Sequence, residues 1–263
     1  MGRAARLGMV HGVPEDAEPP SRHPGPGTPR RARRRIDAVL FDFHGTLAQV
    51  EDAIDWVRHA ALTCGVTLEP PRAAWLADRL IMAGRAGGPP PVRVPPHLAE
   101  VFADRDLSGP AHRATYAGLA ATVDSGIEGL PEALYERILD PTGWTVYPET
   151  VPTLAALYEA EVPVAVVSNI GFDVRPMLDA WGATDLVAAC ALSYEVGRCK
   201  PDPAIFRHAC ALLGVEPERT LMVGDSPADA GAVAAGCVAL ILPAPPAGQP
   251  HGLAAALDLA GVA

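Results

Sequence analysis

Short apolar runs that alternate with helical stretches are the feature that most constrains the fold of this chain. From Ile36 onward, runs rich in valine and leucine are each followed by a polar turn and then by a segment of helical character. Buried parallel strands have this pattern, because helices cover both faces of their sheet. It predicts strands at 37–43, 162–168, 187–192, 220–225 and 237–242, and helices at 150–160, 172–181, 201–214 and 228–235.

Single residues support the ends of these elements. Asp202 is placed to cap a helix that starts at Pro203, since proline suits the first helical position. Gly214 and Gly236 are predicted to end helices, because glycine accepts the left-handed conformation common there. The predicted fold class is α/β, with a doubly wound, Rossmann-like parallel sheet whose ligand binds beyond the carboxyl ends of the strands.

Residues 48–145 interrupt the alternation and carry no strand signal. Their periodicity predicts amphipathic helices at 51–64, 71–84, 111–122 and 131–140, joined by a Gly/Pro-rich stretch at 84–91. We therefore predict an α/β core formed by residues 36–47 and 146–263, and a helical insertion formed by residues 48–145.

Two kinds of side chain in the insertion allow a prediction of their position. Trp56 and Trp75 are predicted to pack in the apolar core of the insertion. Six basic side chains are interpreted as its solvated surface, with contact to a second anionic group of a substrate as the alternative: Arg58, Arg85, Arg93, His97, His112 and Arg113.

Residues 1–35 differ in composition from the rest of the chain. They contain six prolines, five glycines and no aromatic residue, so they bury too little apolar surface to offset the entropy of ordering. Eight arginines stand there against three acidic residues. We predict a disordered basic tail, either a plain upstream extension or an arm with weak contact to a polyanion such as nucleic acid.

Charge and cysteine content restrict the cellular setting. The whole chain has a net charge of −10, to which residues 1–35 contribute +5, so residues 36–263 carry −15 and have no general attraction for nucleic acid. Five cysteines, an odd number without Cys-x-x-Cys spacing, indicate reduced thiols. No window holds the ~18 apolar residues of a membrane span. The sequence predicts a cytoplasmic protein without membrane contact and leaves its oligomeric state open.

A single lysine, Lys200, stands among twenty arginines. Lysine carries a compact ammonium and arginine a broad planar guanidinium, and the two are not interchangeable where a point charge must fit beside a small anion. A chain that otherwise uses arginine has therefore kept this lysine for chemistry.

Three aspartates are predicted to converge on one edge of the sheet. Asp42 and Asp225 each end an apolar strand, and Asp229 lies four residues after Asp225 at the opening of a helix. Carboxylates that meet in this way repel one another unless a cation binds them, and Mg²⁺ suits such oxygen ligands. The alternative is that Asp225 or Asp229 only caps a helix.

Four ordered segments resemble the motifs of the haloacid dehalogenase (HAD) superfamily, in the branch whose cap is inserted after the first motif. They lie at 39–47 (VLFDFHGTL), 166–169 (VVSN), 200–206 (KPDPAIF) and 222–229 (MVGDSPAD). The resemblance implies that the helical insertion is a cap that closes over the site. It also implies that Asp42 is a nucleophile that forms an aspartyl-phosphate, which water later hydrolyses.

The same resemblance assigns roles to the other residues of these segments. Lys200 would hold the nucleophile and the phosphoryl group together and stabilise charge in the transition state. The predicted phosphate ligands are Thr46, Ser168, Asn169 and Lys200. The predicted Mg²⁺ ligands are Asp42, Asp225, Asp229 and the backbone carbonyl of His44.

His44 departs from the family pattern. Most family phosphatases have a second aspartate two residues after the nucleophile, which protonates the leaving group and then activates water. Three interpretations stay open for the imidazole of His44: acid/base catalysis, contact with the substrate or an altered reaction, and loss of efficient catalysis.

The predicted function is a Mg²⁺-dependent hydrolase acting on a small phosphorylated metabolite. One alternative is a metal-independent dehalogenase-like hydrolase that forms an ester at carbon; such relatives lack the second aspartate but usually also lack the Gly-Asp…Asp pair that stands here at 224–229. The other is a non-catalytic binding protein that keeps the phosphate and Mg²⁺ pocket. A Schiff-base mechanism is excluded, because residues 48–145 contain no lysine.

Overall fold

The computed structural model describes residues 35–262, which belong to one compact unit. The tail predicted for residues 1–35 falls outside the described residues, apart from Arg35, and stays a prediction. None of the helices between residues 35 and 262 combines the length and the hydrophobicity of a transmembrane segment.

Residues 35–262 contain seven strands and twelve α-helices. The strands are β1 (Ala38–Phe41), β2 (Ala48–Val50), β3 (Trp144–Val146), β4 (Val164–Ser168), β5 (Ala189–Leu192), β6 (Thr220–Gly224) and β7 (Val238–Ile241). The helices are α1 (Ala53–Thr63), α2 (Pro70–Ala83), α3 (Ala99–Ala103), α4 (Gly109–Ala120), α5 (Leu130–Leu139), α6 (Thr150–Glu159), α7 (Arg175–Ala180), α8 (Ser193–Val196), α9 (Pro203–Leu213), α10 (Pro227–Ala230), α11 (Ala232–Ala235) and α12 (Ala254–Ala260).

The central sheet has five parallel strands in the order β5-β4-β1-β6-β7. Side chains of β1 alternate between two apolar layers: Val39 and Phe41 pack in one, with α6, α7 and α12, and Leu40 packs in the other, with α9 and α11. The doubly wound α/β fold predicted from the sequence is therefore confirmed, and all five predicted core strands are present.

The predicted ends of α9 and α11 are also confirmed. The Asp202 side chain accepts a hydrogen bond from the Ala204 amide at 2.9 Å, and Pro203 opens the helix. Gly214 and Gly236 end α9 and α11 with positive φ angles of 67° and 107°. The single helix predicted at 228–235 was wrong in one respect, because the chain turns at Gly231 and forms two short helices there.

The prediction that residues 48–145 contain no strand was wrong. Both ends of the insertion form strands, and β2 pairs antiparallel with β3, with Gln49 opposite Thr145. Three residues per strand are too few to produce a visible alternation in the sequence, and the partners lie almost a hundred residues apart. Between them, α1, α2 and α5 enclose an apolar cluster that includes Trp56, Leu76 and Leu134.

Two predictions about side chains of the insertion were wrong. Trp75 is 48% exposed, because it lies on the outer face of α2, where Arg79 stacks over its ring at 4.5 Å. Arg85 and His112, assigned to the surface, are instead 6% and 2% exposed.

His112 joins the insertion to the core. Its Nδ1 lies 3.0 Å from the Tyr135 hydroxyl, and its ring packs against Tyr116 at 4.6 Å and against Phe172, in the loop after β4, at 5.4 Å. A second contact lies nearby, where the Ser193 hydroxyl donates to the Asp106 carbonyl at 2.5 Å. The α4 region of the insertion is thus packed directly on the loops at the carboxyl ends of β4 and β5.

Burial of His112 predicts acid sensitivity of the fold. Burial, with Arg105 adding to it, lowers the pKa of His112 from 6.5 to about 3. Between pH 6.5 and about pH 3 the imidazole of His112 is protonated in the unfolded chain but neutral in the folded chain. The free energy of unfolding is therefore unaffected by this group above pH 6.5 and decreases as the pH falls below it. From pH 7 to pH 4, His112 should lower the free energy of unfolding by about 3 kcal/mol.

The measurement is urea unfolding from pH 7 to pH 4 of wild type, His112→Asn and His97→Asn. The His112→Asn variant should start less stable but lose about 3 kcal/mol less than wild type over this range. The exposed His97 supplies the matched control, and its variant should have a pH profile like wild type. Parallel profiles for His112→Asn and wild type would contradict the assignment.

Candidate active site

The carboxyl ends of three neighbouring strands supply the polar groups of the site. Asp42 follows β1, Ser168 is the last residue of β4, and Asp225 follows β6. These strands are adjacent and parallel, in the order β4-β1-β6, so their ends lie at one edge of the sheet. Strand ends that are distant in sequence are brought together by the fold in this way.

Asp42, Asp225 and Asp229 form one acidic cluster. Their carboxylates each offer an oxygen within 4.8 Å of the others, and Asp42 and Asp229 are buried. Two glycines permit the close approach: a Cβ at Gly45 would lie 2.3 Å from an Asp225 oxygen, and one at Gly224 would lie 2.2 Å from the Asp229 Cγ. Any other residue at either position would displace a carboxylate of the cluster.

The ammonium of Lys200 lies between two of these carboxylates. Its Nζ is 2.6 Å from Asp42 Oδ1 and 2.6 Å from Asp229 Oδ1, and the residue is 6% exposed. Burial disfavours the charge, but Asp42 and Asp229 outweigh that effect and raise the pKa of Lys200. The single lysine of the chain is therefore a permanent cation inside the acidic cluster.

Asn169 fixes the position of this lysine. The Asn169 amide donates to the Lys200 carbonyl at 2.9 Å, and its Oδ1 accepts from the Lys200 amide at 2.6 Å. Both polar atoms of the side chain are thus engaged with the backbone of Lys200. The geometry gives Asn169 a positioning role that the sequence did not indicate, and its phosphate contact stays a prediction.

Asp229 has two partners at once. Its Oδ2 accepts from the Ser226 amide at 3.0 Å and from the Ser226 hydroxyl at 2.7 Å, which caps α10, while its Oδ1 accepts from Lys200. The two interpretations open for Asp229, helix cap and member of the acidic site, are therefore compatible. The cap holds the carboxylate in the orientation that faces Lys200.

The cluster carries more negative charge than Lys200 neutralises. Burial raises the pKa of Asp42 to about 7, with Asp229 and Asp225 adding to the rise and Lys200 opposing it. Burial and Asp229 likewise raise the pKa of Asp225. Three carboxylates with a single ammonium suit a hard divalent cation with a preference for oxygen, so the residues present fit Mg²⁺.

His44 lies at the border between the site and the insertion. It is half-buried, its Nε2 is buried without a hydrogen-bond partner, and its ring meets the edge of Trp144 at 5.8 Å. Gly87 packs against it so closely that a Cβ there would lie 2.9 Å from Nε2. Burial, with the cations Arg85 and Lys200 adding to it, lowers the pKa of His44 to about 4.

Two other predicted residues are buried beside these groups. Thr46 is fully buried in the turn between β1 and β2, with a hydroxyl that has no hydrogen-bond partner, and Ser168 is 2% exposed. Their phosphate contacts, and the metal contact of the His44 carbonyl, stay predictions.

Sequence reasoning missed Arg85, Gly87 and Trp144 as neighbours of His44. Gly87 belongs to the stretch at 84–91, which was interpreted as a connector between helices. The sequence did contain one signal, the glycine pair Gly87-Gly88, because glycine permits close approach of the backbone to another group. Trp144 comes next to His44 only through the pairing of β2 with β3.

Comparison with known proteins agrees with this geometry. Residues 36–236 match the model of the haloacid dehalogenase-like hydrolase family. A phosphoglycolate phosphatase of Chromobacterium violaceum is 28% identical over 79% of this chain and 85% of its own length. (S)-2-haloacid dehalogenase 1 of Pseudomonas sp. strain CBS-3 is 33% identical over 76% of this chain and 81% of its own length.

A solved structure is similar as well. The HAD family hydrolase of Deinococcus radiodurans R1, crystallised with bound phosphate and sodium, is 28% identical and has a TM-score of 0.51, covering 88% of this chain and 90% of that protein. The family model spans all four segments that carry the site. The chain therefore belongs to the haloacid dehalogenase-like hydrolases.

Proposed function

We propose that this hydrolase is a Mg²⁺-dependent phosphatase that acts on a small phosphorylated metabolite in the cytoplasm. The observation that carries the proposal is the Lys200 ammonium, held 2.6 Å from both Asp42 and Asp229 in a buried cluster of three carboxylates. The similarity to a phosphoglycolate phosphatase and to a phosphate-bound relative supports the same substrate class. Five free cysteines suit a reducing compartment.

Asp42 is the proposed nucleophile. A carboxylate oxygen of Asp42 forms a bond to phosphorus while the bond to the leaving oxygen breaks, which gives an aspartyl-phosphate and releases the alcohol. Water then attacks phosphorus, and the bond to Asp42 breaks to release phosphate. Bound Mg²⁺, held by Asp42, Asp225, Asp229 and the His44 carbonyl, would neutralise the phosphate and the cluster.

Lys200 is placed to stabilise the negative charge that develops on the phosphoryl oxygens, and Asn169 holds it in position. The ammonium already contacts the nucleophile, so it is placed to bind a phosphoryl oxygen without reorganisation. Thr46, Ser168 and the Asn169 backbone are the proposed partners of the remaining phosphoryl oxygens. The helical insertion is the proposed cap, because its Gly87 packs on His44 at the border of the site.

His44 is the proposed acid/base group, in the position where most family phosphatases have a second aspartate. The pKa of His44 is lowered to about 4, and the negative charge of a phosphate ester bound beside it would raise that pKa. The imidazolium can then give a proton to the leaving oxygen, and the resulting imidazole can accept one from the attacking water. The competing interpretation, a phosphate-binding protein with slow turnover, predicts tight binding of beryllofluoride with Mg²⁺ and negligible release of phosphate.

A dehalogenase is the second candidate function. The dehalogenase relative is 33% identical over 81% of its own length, and in such an enzyme Asp42 would attack carbon and expel halide. Halide release from 2-chloropropionate that EDTA does not inhibit, without phosphatase activity, would favour this alternative.

Metal removal is the first test. EDTA should abolish hydrolysis of p-nitrophenyl phosphate, and added Mg²⁺ should restore it, because the acidic cluster requires a dication. Asp225→Asn should raise the Mg²⁺ concentration for half-maximal activity by about 10-fold or more. Asp258→Asn, at an exposed carboxylate, is the control. Activity unaffected by EDTA would overturn the metal requirement.

Replacement of His44 tests its role. If the scaffold is a phosphatase, His44→Asp should raise steady-state phosphate release, since acid/base assistance is worth ~10²–10⁴-fold. His44→Asn, which cannot transfer protons, is the matched control and should be slower than wild type. A loss of activity in His44→Asp would show that the imidazole has a role that a carboxylate cannot take.

Replacement of Asn169 tests the positioning of Lys200. Asn169→Ala removes both hydrogen bonds to the Lys200 backbone and should lower kcat by ~100-fold, because small misplacements of a catalytic group are costly. Asn169→Asp keeps the hydrogen-bond acceptor but not the donor, so its kcat should lie between that of wild type and that of Asn169→Ala. If KM rises and kcat stays constant, Asn169 acts on substrate binding instead.

A further inference from the structure

Arg85 is a buried cation beside the proposed active site. It is 6% exposed and lies in the segment at 84–91, two residues before Gly87, which packs on His44. Its charge is close enough to His44 to lower the pKa of that imidazole. Arg85 is therefore a positive group of the insertion at the border of the site.

Not every nitrogen of the Arg85 guanidinium has a hydrogen-bond partner. Nη2 donates to the Glu51 carbonyl at 3.0 Å, and the guanidinium stacks over the Trp56 ring at 4.4 Å. Nε is buried and has no hydrogen-bond partner. Among residues 35–262, no carboxylate oxygen lies within 4.0 Å of Arg85.

Glu51 and Asp52 are the acidic side chains that favour the charged form of Arg85, and both are engaged elsewhere. The Asp52 carboxylate caps α1 by accepting from the Ile54 amide at 2.8 Å. Glu51 accepts from Arg137 through both carboxylate oxygens, at 2.6 and 2.9 Å, and its Oε2 lies 2.8 Å from His59 Nδ1. Glu51 therefore has a full set of partners of its own, and the charge of Arg85 has no matching anion in contact.

A buried guanidinium without an anion is costly, and burial lowers the pKa of Arg85 to about 10. Stacking alone does not require burial, because Arg79 stacks over Trp75 at a similar distance, 4.5 Å, on the exposed face of α2. The structure thus keeps Arg85 in an unfavourable environment next to a site built for an anion.

We propose that Arg85 binds a second anionic group of the substrate, so that the preferred substrates are small phosphate monoesters that also carry a carboxylate or a second phosphate. This inference rests on the proposed phosphatase function and names its substrate class. A guanidinium N–H matches an oxyanion in charge and geometry, whether carboxylate or phosphate. Nε is buried, so binding of the anion there would require residues 84–91 to move away from it. The bound anion would then give this unpaired donor a charge-assisted hydrogen bond.

The test compares substrates that differ only in the second anion. Ethyl phosphate, 2-phosphoglycolate and ethylene glycol bisphosphate are assayed with Mg²⁺ for wild type, Arg85→Met, Arg85→Lys and Arg79→Met. Arg85→Met should lower kcat/KM about 10- to 100-fold for substrates with a second anion, mainly through KM, and less than ~3-fold for ethyl phosphate. The larger loss identifies whether carboxylate or phosphate is the natural second group.

The control variants separate binding from folding. Arg79→Met removes an arginine stacked on tryptophan in the same way and should leave all rates unchanged, and Arg85→Lys should recover part of the lost affinity because it restores the charge. Equal losses on all three substrates, with a lower urea midpoint, would mean that Arg85 only stabilises the fold and would overturn the inference.

Failure of the phosphatase function is a separate outcome. If wild type hydrolyses none of the three compounds, calorimetric binding of 2-phosphoglycolate decides the role of Arg85. Affinity about 10-fold weaker in Arg85→Met than in wild type would support the inference, and equal affinity would overturn it.

Discussion

The contact of the Lys200 ammonium with Asp42 and Asp229 is the interaction on which the site depends. It joins the segment after β1, the loop before α9 and the start of α10, which are far apart in sequence. A buried ion pair of this kind is a poor source of stability, because desolvation offsets most of the attraction. The proposed function, in which the ammonium binds a phosphoryl group, accounts for this contact better than fold stability does. Asn169 on one side and the α10 cap on the other hold both ends of the contact in place.

The parts of the fold that were predictable depend on local patterns. β1 and β6 are apolar runs that end in aspartate, and a parallel sheet brings such ends to one edge whatever lies between them. The same reasoning found Asp42 and Asp225, and the scarcity of lysine singled out Lys200. Asp202 with Pro203 predicted the start of α9, because capping involves only a few neighbouring residues.

The parts that were missed depend on contacts between distant segments. The pairing of β2 with β3 joins two three-residue strands that have no pattern of their own. Burial of Arg85 and His112 results from the packing of the insertion, and charged or polar side chains give no sign of it in sequence. The hydrogen bonds of Asn169 to Lys200 were missed for the same reason, because the two residues are thirty-one positions apart; the phosphate contact of Asn169 stays a prediction.

The pairing of β2 with β3 separates the insertion, which contains Arg85, from the core, which contains the acidic cluster and Lys200. Because the two strands are hydrogen-bonded neighbours in a small sheet of their own, the insertion begins and ends at points only ~5 Å apart. A segment with adjoining ends can be lengthened, shortened or exchanged without strain on the sheet beneath. The proposed nucleophile Asp42, Lys200 and the acidic pair at 225 and 229 all lie outside that segment, while Arg85, the proposed ligand of a second anion, lies within it. Evolution can therefore alter what this scaffold recognises without altering the bond it breaks.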